Sequence, residues 1–243
     1  MHSDRYAPTT TLPGLLQRGR GQGALIAAED PSSVADLVHG CIRWDWRWDR
    51  RLDSRHVYLA RLIRDLGLPF AVPVGEMRAR EVEPATPEPT PGQDMPTLIA
   101  ALEEHWVTQT WRGPAALARA LARFGPEAAE AAGAAPAVSL LRRFWLATPH
   151  SYERPAYLEA LAAMGAPGLP EVYVESLWDC EPRARLLAVE HAPDRPGVRD
   201  RLGYLRDDPI EEPDVREAAA TRLAALAWAP PAAAKEPVRR GLE

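Results

Sequence analysis

Apolar residues recur at steps of three and four along most of the chain, and no segment shows the strict alternation of a surface strand. Before residue 70 this spacing predicts three helices: one over 12–30, one that opens at Pro31, and one that begins at Asp53 or Ser54 and ends at Gly67. It predicts further helices at 96–107, 114–124, 126–132, 136–147, 154–164, 170–178, 182–191, 195–205 and 213–227. Ala and Leu are abundant and β-branched residues are sparse, so we expect an all-α fold.

Three glycines, Gly19, Gly21 and Gly23, fall inside the first predicted helix. Each lowers the stability of a helix interior by up to about 1 kcal/mol relative to Ala. Gly19 and Gly23 are four residues apart and share one helix face. We expect them to admit another helix or a backbone segment at close range.

The two groups of predicted helices are separated by a proline-rich stretch. Four prolines and no large apolar residue lie between Glu83 and Gly92, a composition typical of an extended linker. We therefore predict an N-terminal helical unit at 1–74, a Pro-rich linker or exposed loop at 75–95, and a helical-repeat domain at 96–243.

The last predicted helix has the most regular pattern. From Asp214 to Leu226 the chain reads as a leading Asp, then Val-Arg, then an Ala pair and a Leu, and its apolar face is built mostly from small residues. This stretch resembles the second helix of a HEAT repeat. The resemblance implies a HEAT-like α-solenoid of stacked helix pairs over about 136–228. The small helical unit would precede it.

The charge, the apolar runs and the cysteines of the chain limit the functional classes to which it could belong. A net charge of -5 and a pI near 5.8 lack the basic excess of a nucleic-acid binder. No apolar run is long enough to cross a bilayer, and the first residues lack the apolar core of a signal peptide, so we expect a cytoplasmic protein without membrane contact. Cys41 and Cys180 lie in apolar patterns far apart in sequence. We expect buried free thiols rather than a disulfide or a metal pair.

The segment after Cys41 is the strongest candidate for partner binding. Three tryptophans alternate with charged residues there, and Trp and Arg are enriched at the energetic centres of protein interfaces. We predict partner-binding residues at Trp44, Trp46, Trp48, Arg43, Arg47, Arg50 and Arg51. The alternative is that the tryptophans complete the N-terminal core while the Asp and Arg side chains form local ion pairs.

No complete catalytic or metal-ligating motif is present, so we predict no catalytic residues, no metal site and no cofactor. Asp45, Asp49 and Asp53 are spaced by four and would line one face of a continuous helix, but neighbouring arginines would compete with a divalent cation. The histidines complete neither a four-ligand set nor a His-Glu-x-x-His helix. The Gly-Arg-Gly-Gln-Gly stretch lacks the strand and the Lys of a phosphate-binding loop.

These features favour a non-enzymatic scaffold or adaptor that binds a protein through an elongated helical-repeat surface. One alternative is an AlkD-like DNA glycosylase or a DNA-binding protein, because HEAT-like folds include such enzymes. Their chemistry rests on an Asp one helical turn after a Trp in a basic groove. The nearest spacing here is three, from Trp46 to Asp49, and the acidic balance does not suit DNA. A second alternative is binding of a small molecule or peptide between helices.

Overall fold

The chain folds into α-helices in the predicted order. A computed structural model describes residues 6–49, 51–69, 89, 92–126 and 135–228. These residues contain twelve α-helices and no strand. The helices are α1 (Leu12–Arg18), α2 (Gly21–Glu29), α3 (Pro31–Arg43), α4 (Arg55–Asp65), α5 (Met95–Thr108), α6 (Pro114–Ala122), α7 (Ala135–Ala147), α8 (Arg154–Ala163), α9 (Leu169–Ser176), α10 (Pro182–His191), α11 (Pro196–Asp207) and α12 (Pro213–Trp228). The prediction of an all-α fold is confirmed.

The single helix predicted over 12–30 is wrong. Gly19 adopts a left-handed conformation with φ of 65° and ends α1, and α2 begins two residues later. A left-handed residue cannot continue an α-helix, and Gly adopts it without steric cost. In its described residues the N-terminal unit therefore has four helices instead of three. The helix predicted at 126–132 lies, after Pro126, outside the described residues.

From α5 onward the helices associate in consecutive pairs. Helix α5 contacts α6, α7 contacts α8, α9 contacts α10 and α11 contacts α12. The second helices of these pairs also contact one another in order, α6 with α8, α8 with α10 and α10 with α12. Proline stands in the first turn of each second helix, at Pro114, Pro155, Pro182 and Pro213. Its missing N–H costs no hydrogen bond at that position.

Two clusters of buried apolar residues fill the interior. The larger cluster runs from Met95 to Ala219 and belongs to the helix pairs. The smaller cluster runs from Leu16 to Leu68 in α1–α4 and also includes Cys180, from the loop before α10. Trp178 packs against both clusters. The three-part division at 74 and 95 stays a prediction, since most of 75–95 lies outside the described residues.

Each second helix is joined to the first helix of its pair by a short loop. We call the loops at 148–153, 177–181 and 208–212 the pair loops, because they connect α7 to α8, α9 to α10 and α11 to α12. Helices α1, α2 and α4 approach the helix pairs at these loops and at the helix ends beside them, as the contacts below show. No described helix is both long and apolar enough to cross a membrane.

Candidate functional site

The predicted Trp-rich segment lies between α3 and α4 and is half-buried. The ring of Trp46 lies 4.8 Å from that of Tyr6, and its carbonyl accepts a 2.7 Å hydrogen bond from the Tyr6 hydroxyl. The ring of Trp48 meets the edge of the buried His150 ring, from the pair loop 148–153, at 4.7 Å. Trp44 is also partly exposed. Trp46 and Trp48 therefore keep part of their surface in water and use the rest for internal packing.

The charged residues of this segment are divided between local bonds and solvent. Arg47 pairs with Asp45 at 2.8 Å, whereas Arg43 and Arg51 are exposed. Arg50 lies outside the described residues. The segment is not helical, so Asp45, Asp49 and Asp53 do not share a helix face. In the part of the chain that the structure describes, no group of three or more His, Cys, Asp or Glu side chains is arranged to hold a metal ion.

A buried ionic seam joins the N-terminal helices to the helix pairs. Arg18 donates a 3.0 Å hydrogen bond to the carbonyl of Ala147, at the end of α7. Arg20 pairs with Glu175 on α9 at 2.6 Å, and its guanidinium stacks over the Trp145 ring at 4.2 Å. Burial lowers the pKa of Arg18 to about 10, so this side chain remains a cation at neutral pH. These contacts place α1 and α2 against α7 and α9.

The centre of the seam is the pair of Arg154 and Asp179, whose charged atoms are 2.9 Å apart and almost fully shielded from water. Arg154 also donates through Nη2 to the carbonyl of Arg18 at 2.7 Å. Beside it, the backbone N–H of Cys180 donates to the carbonyl of Gly19 at 2.9 Å. Both backbone and side-chain bonds therefore connect α1 to the pair loop 177–181.

Acidic groups of the same loop meet the start of α4. The Oε1 atom of Glu181 accepts a 3.2 Å hydrogen bond from the backbone N–H of Ser54. Burial, with the negative charges of Asp53 and Asp179 nearby, raises the pKa of Glu181. Asp53 itself is held by Arg55 at 2.8 Å. Burial alone would raise the pKa of Asp53, but the charge and hydrogen bonds of Arg55 outweigh burial and lower it.

A second ionic group lies at the other end of the seam, and we call it the arginine cluster. Arg61 on α4 pairs with Asp208 at 2.9 Å and with Glu211 at 3.2 Å, and Arg185 on α10 holds Glu211 at 2.5 Å. Arg64 pairs with Asp65 and with Asp208, at 2.8 Å in both cases. The cluster consists of Arg61, Arg64, Asp65, Arg185, Arg201, Asp208 and Glu211.

Arg201, on α11, belongs to this cluster by position but forms no ion pair with another described residue. Its Nε donates to the carbonyl of Leu177 at 3.1 Å. Its guanidinium carbon lies 4.2 Å from the ring centre of Tyr204 and 5.0 Å from that of Trp178. A small cleft between α2, α4 and α11 opens beside this guanidinium.

A groove lies between α10 and α12. We call it the α10–α12 groove. Its volume is about 650 Å³, and it is lined by Leu186, Val189, Glu190, Asp214, Glu217, Ala218, Thr221, Arg222, Ala225 and Leu226. The α12 residues in it follow one helical stripe. Arg222 points its guanidinium at the carbonyls of Val189 and Ala192, where it caps the end of α10.

Three exposed carboxylates give the groove its charge: Glu190, Asp214 and Glu217. Within the described part of the chain, none of them has a Lys or Arg within ion-pair distance. The groove was not predicted from the sequence, because its acids come from two helices and each alone resembles ordinary surface. The spacing of Asp214, Glu217 and Thr221 on one face of α12 is the partial signal that the sequence contains.

No family model, no curated protein and no solved structure matches this chain.

Proposed function

We propose that this protein is a non-enzymatic scaffold of HEAT type that binds a basic segment of a partner protein in the α10–α12 groove. The observation that carries the proposal is the groove itself, which combines apolar side chains with carboxylates that have no Lys or Arg partner in the described residues. Glu190 alone has a histidine nearby, with His191 Nε2 at 3.9 Å. A partner segment with Lys or Arg around an apolar stripe would match both features. Complementary charge favours rapid and selective encounter.

The order of helix contacts supports the solenoid part of the proposal. In a helix-pair solenoid each pair contacts its neighbours, and the second helices form one continuous layer. The contacts of α6, α8, α10 and α12 follow this order. The proline in the first turn of each second helix repeats the same start four times. The HEAT-like stretch of α12 supplies the last copy.

The charge along the second helices supports a binding site at the end of the stack. On α8 and α10 the exposed Arg183 pairs with Glu159 at 2.9 Å, so this stretch is locally neutral. The acids without a Lys or Arg partner in the described residues follow on α10 and α12, at Glu190, Asp214 and Glu217. Arg222 offsets part of this charge, but its N–H groups are committed to carbonyls and leave the carboxylates available to a ligand.

The Trp-rich segment is proposed as a second contact with the partner. Arg43 and Arg51 are exposed, and Trp44, Trp46 and Trp48 keep partial exposure. Trp48 packs on His150, so replacing these tryptophans would change binding and stability together. The effect on binding could then not be measured separately. The groove therefore provides the sharper test.

The test uses a fluorescent amphipathic peptide that carries Lys and Leu at helical spacing, with binding followed by anisotropy. Ala225→Trp places a bulky ring in the groove without a change of charge, and we expect it to weaken binding at least tenfold. Ala224→Trp is the matched control, because Ala224 is exposed on α12 but does not line the groove. Equal affinity of the two variants would overturn the proposed site.

A charge series completes the test. The combined change Glu190→Gln, Asp214→Asn and Glu217→Gln should weaken binding and reduce its dependence on salt. The control neutralises three exposed acids elsewhere, Asp36, Glu103 and Glu104, and should leave affinity unchanged. If both triple variants bind equally weakly, the peptide is attracted only by net charge, and the groove is not the site.

A second candidate function is binding of a small molecule, and one observation favours it. A recess of about 260 Å³ lies between α2, α7 and α9, with Leu25, Val172 and Val174 among its lining residues. Trp145 also lines it, and its buried indole N–H has no acceptor among the described residues. A ligand with one hydrogen-bond acceptor would satisfy this donor. A ligand library followed by thermal unfolding tests it, since bound ligand stabilises the folded state.

A further inference from the structure

The arginine cluster carries an excess of positive charge. Carboxylates bridge the arginines from α4 and α10, and Arg201 on α11 lies beside them. Four guanidinium groups stand against three carboxylates, Asp65, Asp208 and Glu211. A charge that is largely removed from water is costly unless it is paired, and Arg201 is partly buried. The three carboxylates are already shared among Arg61, Arg64 and Arg185, so the unmatched cation is Arg201.

The surroundings of Arg201 hold its guanidinium in a fixed plane. Tyr204 and Trp178 contact it with their ring faces, and the carbonyl of Leu177 fixes its Nε. Tyr204 is itself fixed, because its hydroxyl donates to Asp65 at 2.6 Å. Burial lowers the pKa of Arg201 to about 10; Tyr204 and Asp65 act to raise it, and the charges of Arg185 and Arg61 act in the same direction as burial. Arg201 therefore stays charged at neutral pH, and no carboxylate of the described residues forms an ion pair with it.

The cleft beside Arg201 has room for a small group. Its volume is about 90 Å³, well above the roughly 10–15 Å³ that a cavity needs to hold one water molecule. Arg61, Asp65 and Asp179 also line it. Each of these is engaged elsewhere, Arg61 by Asp208, Asp65 by Arg64 and Asp179 by Arg154. Arg201 is thus the one charged lining residue, among those described, that is left for a ligand.

We propose that this cleft binds a small oxyanion, a carboxylate or phosphate group, through the guanidinium of Arg201. A planar guanidinium presents parallel N–H groups that match two oxygens of such an anion. Its stacking between two aromatic rings fixes that edge before the ligand arrives, which reduces the entropy lost on binding. The site is independent of the α10–α12 groove, because it lies between the N-terminal helices and the helix pairs.

The first experiment titrates the full chain with sodium phosphate and, separately, with sodium acetate. The readouts are the midpoint of thermal unfolding and the ¹⁵N–¹H spectrum of the arginine Nε groups. Sodium chloride at equal ionic strength controls for screening. We expect saturable shifts of one Nε resonance, and a midpoint that rises with ligand beyond the chloride control. A response to phosphate alone or to acetate alone identifies which anion the cleft prefers.

Variants locate the site. Arg201→Gln should abolish the saturable response, and Arg201→Lys should retain charge but bind at least tenfold more weakly, because an ammonium cannot form the paired contact. Arg199→Gln is the control, since Arg199 lies on the same helix, is exposed and pairs with Asp194. If phosphate and acetate act no more strongly than chloride, or if Arg201→Gln keeps the response, the proposal is wrong. If Arg201→Gln does not fold, the titration of the wild-type protein still tests whether the cleft binds an oxyanion.

Discussion

The carbonyl oxygen of Gly19 accepts a hydrogen bond from the backbone N–H of Cys180 at 2.9 Å, across the seam between α1 and the pair loop 177–181. A Cβ placed on Gly19 would lie 2.5 Å from the Sγ of Cys180. Gly19 also holds a left-handed φ of 65°. One position therefore ends α1 and lets the loop approach its backbone, and only Gly satisfies both conditions.

Gly19→Ala should lower the free energy of unfolding by more than about 2 kcal/mol. The left-handed conformation costs a residue with a Cβ roughly 1–2 kcal/mol. The clash with Cys180 adds to this cost, because the sulfur is buried and has little space to move. Chemical denaturation with urea, followed by circular dichroism at 222 nm, measures the change.

Two other glycines separate the two contributions to this loss of stability, the left-handed conformation and the clash with Cys180. Gly67 has a φ of 60° but nothing within 4 Å of its added Cβ, so Gly67→Ala reports conformational strain without a clash. Gly40 lies inside α3 with open space around it, so Gly40→Ala should leave the stability unchanged or raise it by up to about 1 kcal/mol. If Gly19→Ala costs no more than Gly67→Ala, the close approach of Cys180 does not contribute.

Local pattern predicted most of the helices and missed the break at Gly19. The spacing of Leu15, Leu16, Ala24 and Ala27 is compatible with one long helix, because it reports which residues face the core. The break depends on φ at Gly19 and on the loop that packs against it. That loop is at Cys180, more than 160 residues later in sequence. The predicted close approach at Gly19 is confirmed, and of the two predicted partners, a helix or a backbone segment, the structure has the loop backbone at Cys180.

The ionic seam was not predictable for the same reason. Arg20 and Glu175 are 155 residues apart, and Arg61 and Asp208 are 147 apart. The sequence around each of these four residues resembles that of an ordinary surface charge. A partial signal exists in the acids that precede the helix-opening prolines, as in Glu181-Pro182. The predicted burial of Cys41 and Cys180, in contrast, is confirmed, although Cys180 lies in a loop between Asp179 and Glu181 and not within an apolar helix.

Arg154→Met should lower the free energy of unfolding by about 3–5 kcal/mol, because it leaves the carboxylate of Asp179 buried without its cation. It also removes the bond from Arg154 to the carbonyl of Arg18. Urea denaturation measures the loss. Arg183→Met is the matched control, since Arg183 forms an exposed pair with Glu159 and should cost little.

The double variant Arg154→Met with Asp179→Leu distinguishes an unpaired charge from a lost packing contact. Removal of both charges should restore part of the stability, because apolar pairs of similar volume often replace buried ion pairs without loss. A double variant less stable than Arg154→Met would show that the Asp179 carboxylate contributes mainly through other bonds, such as the one it accepts from the Glu181 N–H at 2.9 Å.

Glu181 and Asp208 should give pH effects of opposite sign. Burial raises the pKa of Glu181 in the folded state, so its ionisation costs stability as the pH rises above the unfolded value of about 4.3. Glu181→Gln keeps the carbonyl acceptor for the Ser54 N–H. We expect this variant to be more stable than wild type at pH 7, with the difference disappearing toward pH 4. Urea denaturation between pH 3 and pH 8 measures both.

The pKa of Asp208 is lowered instead. Burial acts to raise it, but hydrogen bonds from Arg64 and from the backbone of Ile210, with the charges of Arg61 and Arg64, outweigh burial. Asp208 therefore adds stability above the unfolded pKa of about 3.9, and this stability is lost as the pH falls through its folded pKa. Asp208→Asn should lose roughly 1.5–3 kcal/mol at pH 7 and a smaller amount at pH 3, which lies below the unfolded pKa. An equal loss at both pH values would contradict this assignment.

The two buried thiols should report whether the N-terminal helices separate from the helix pairs before they unfold. Burial raises the pKa of Cys41 to about 12 and also raises that of Cys180, so neither thiol should react with a disulfide reagent in the native state at pH 8. Cys41 lies on α3 inside the smaller cluster, whereas Cys180 lies at the seam. Opening of the seam alone would expose only Cys180.

The test uses two single-thiol variants: Cys41→Ala, which keeps only Cys180, and Cys180→Ala, which keeps only Cys41. When Arg154→Met is added to each, we expect labelling of Cys180 to accelerate far more than labelling of Cys41. Equal acceleration would mean that the seam and the smaller cluster open together as one cooperative unit.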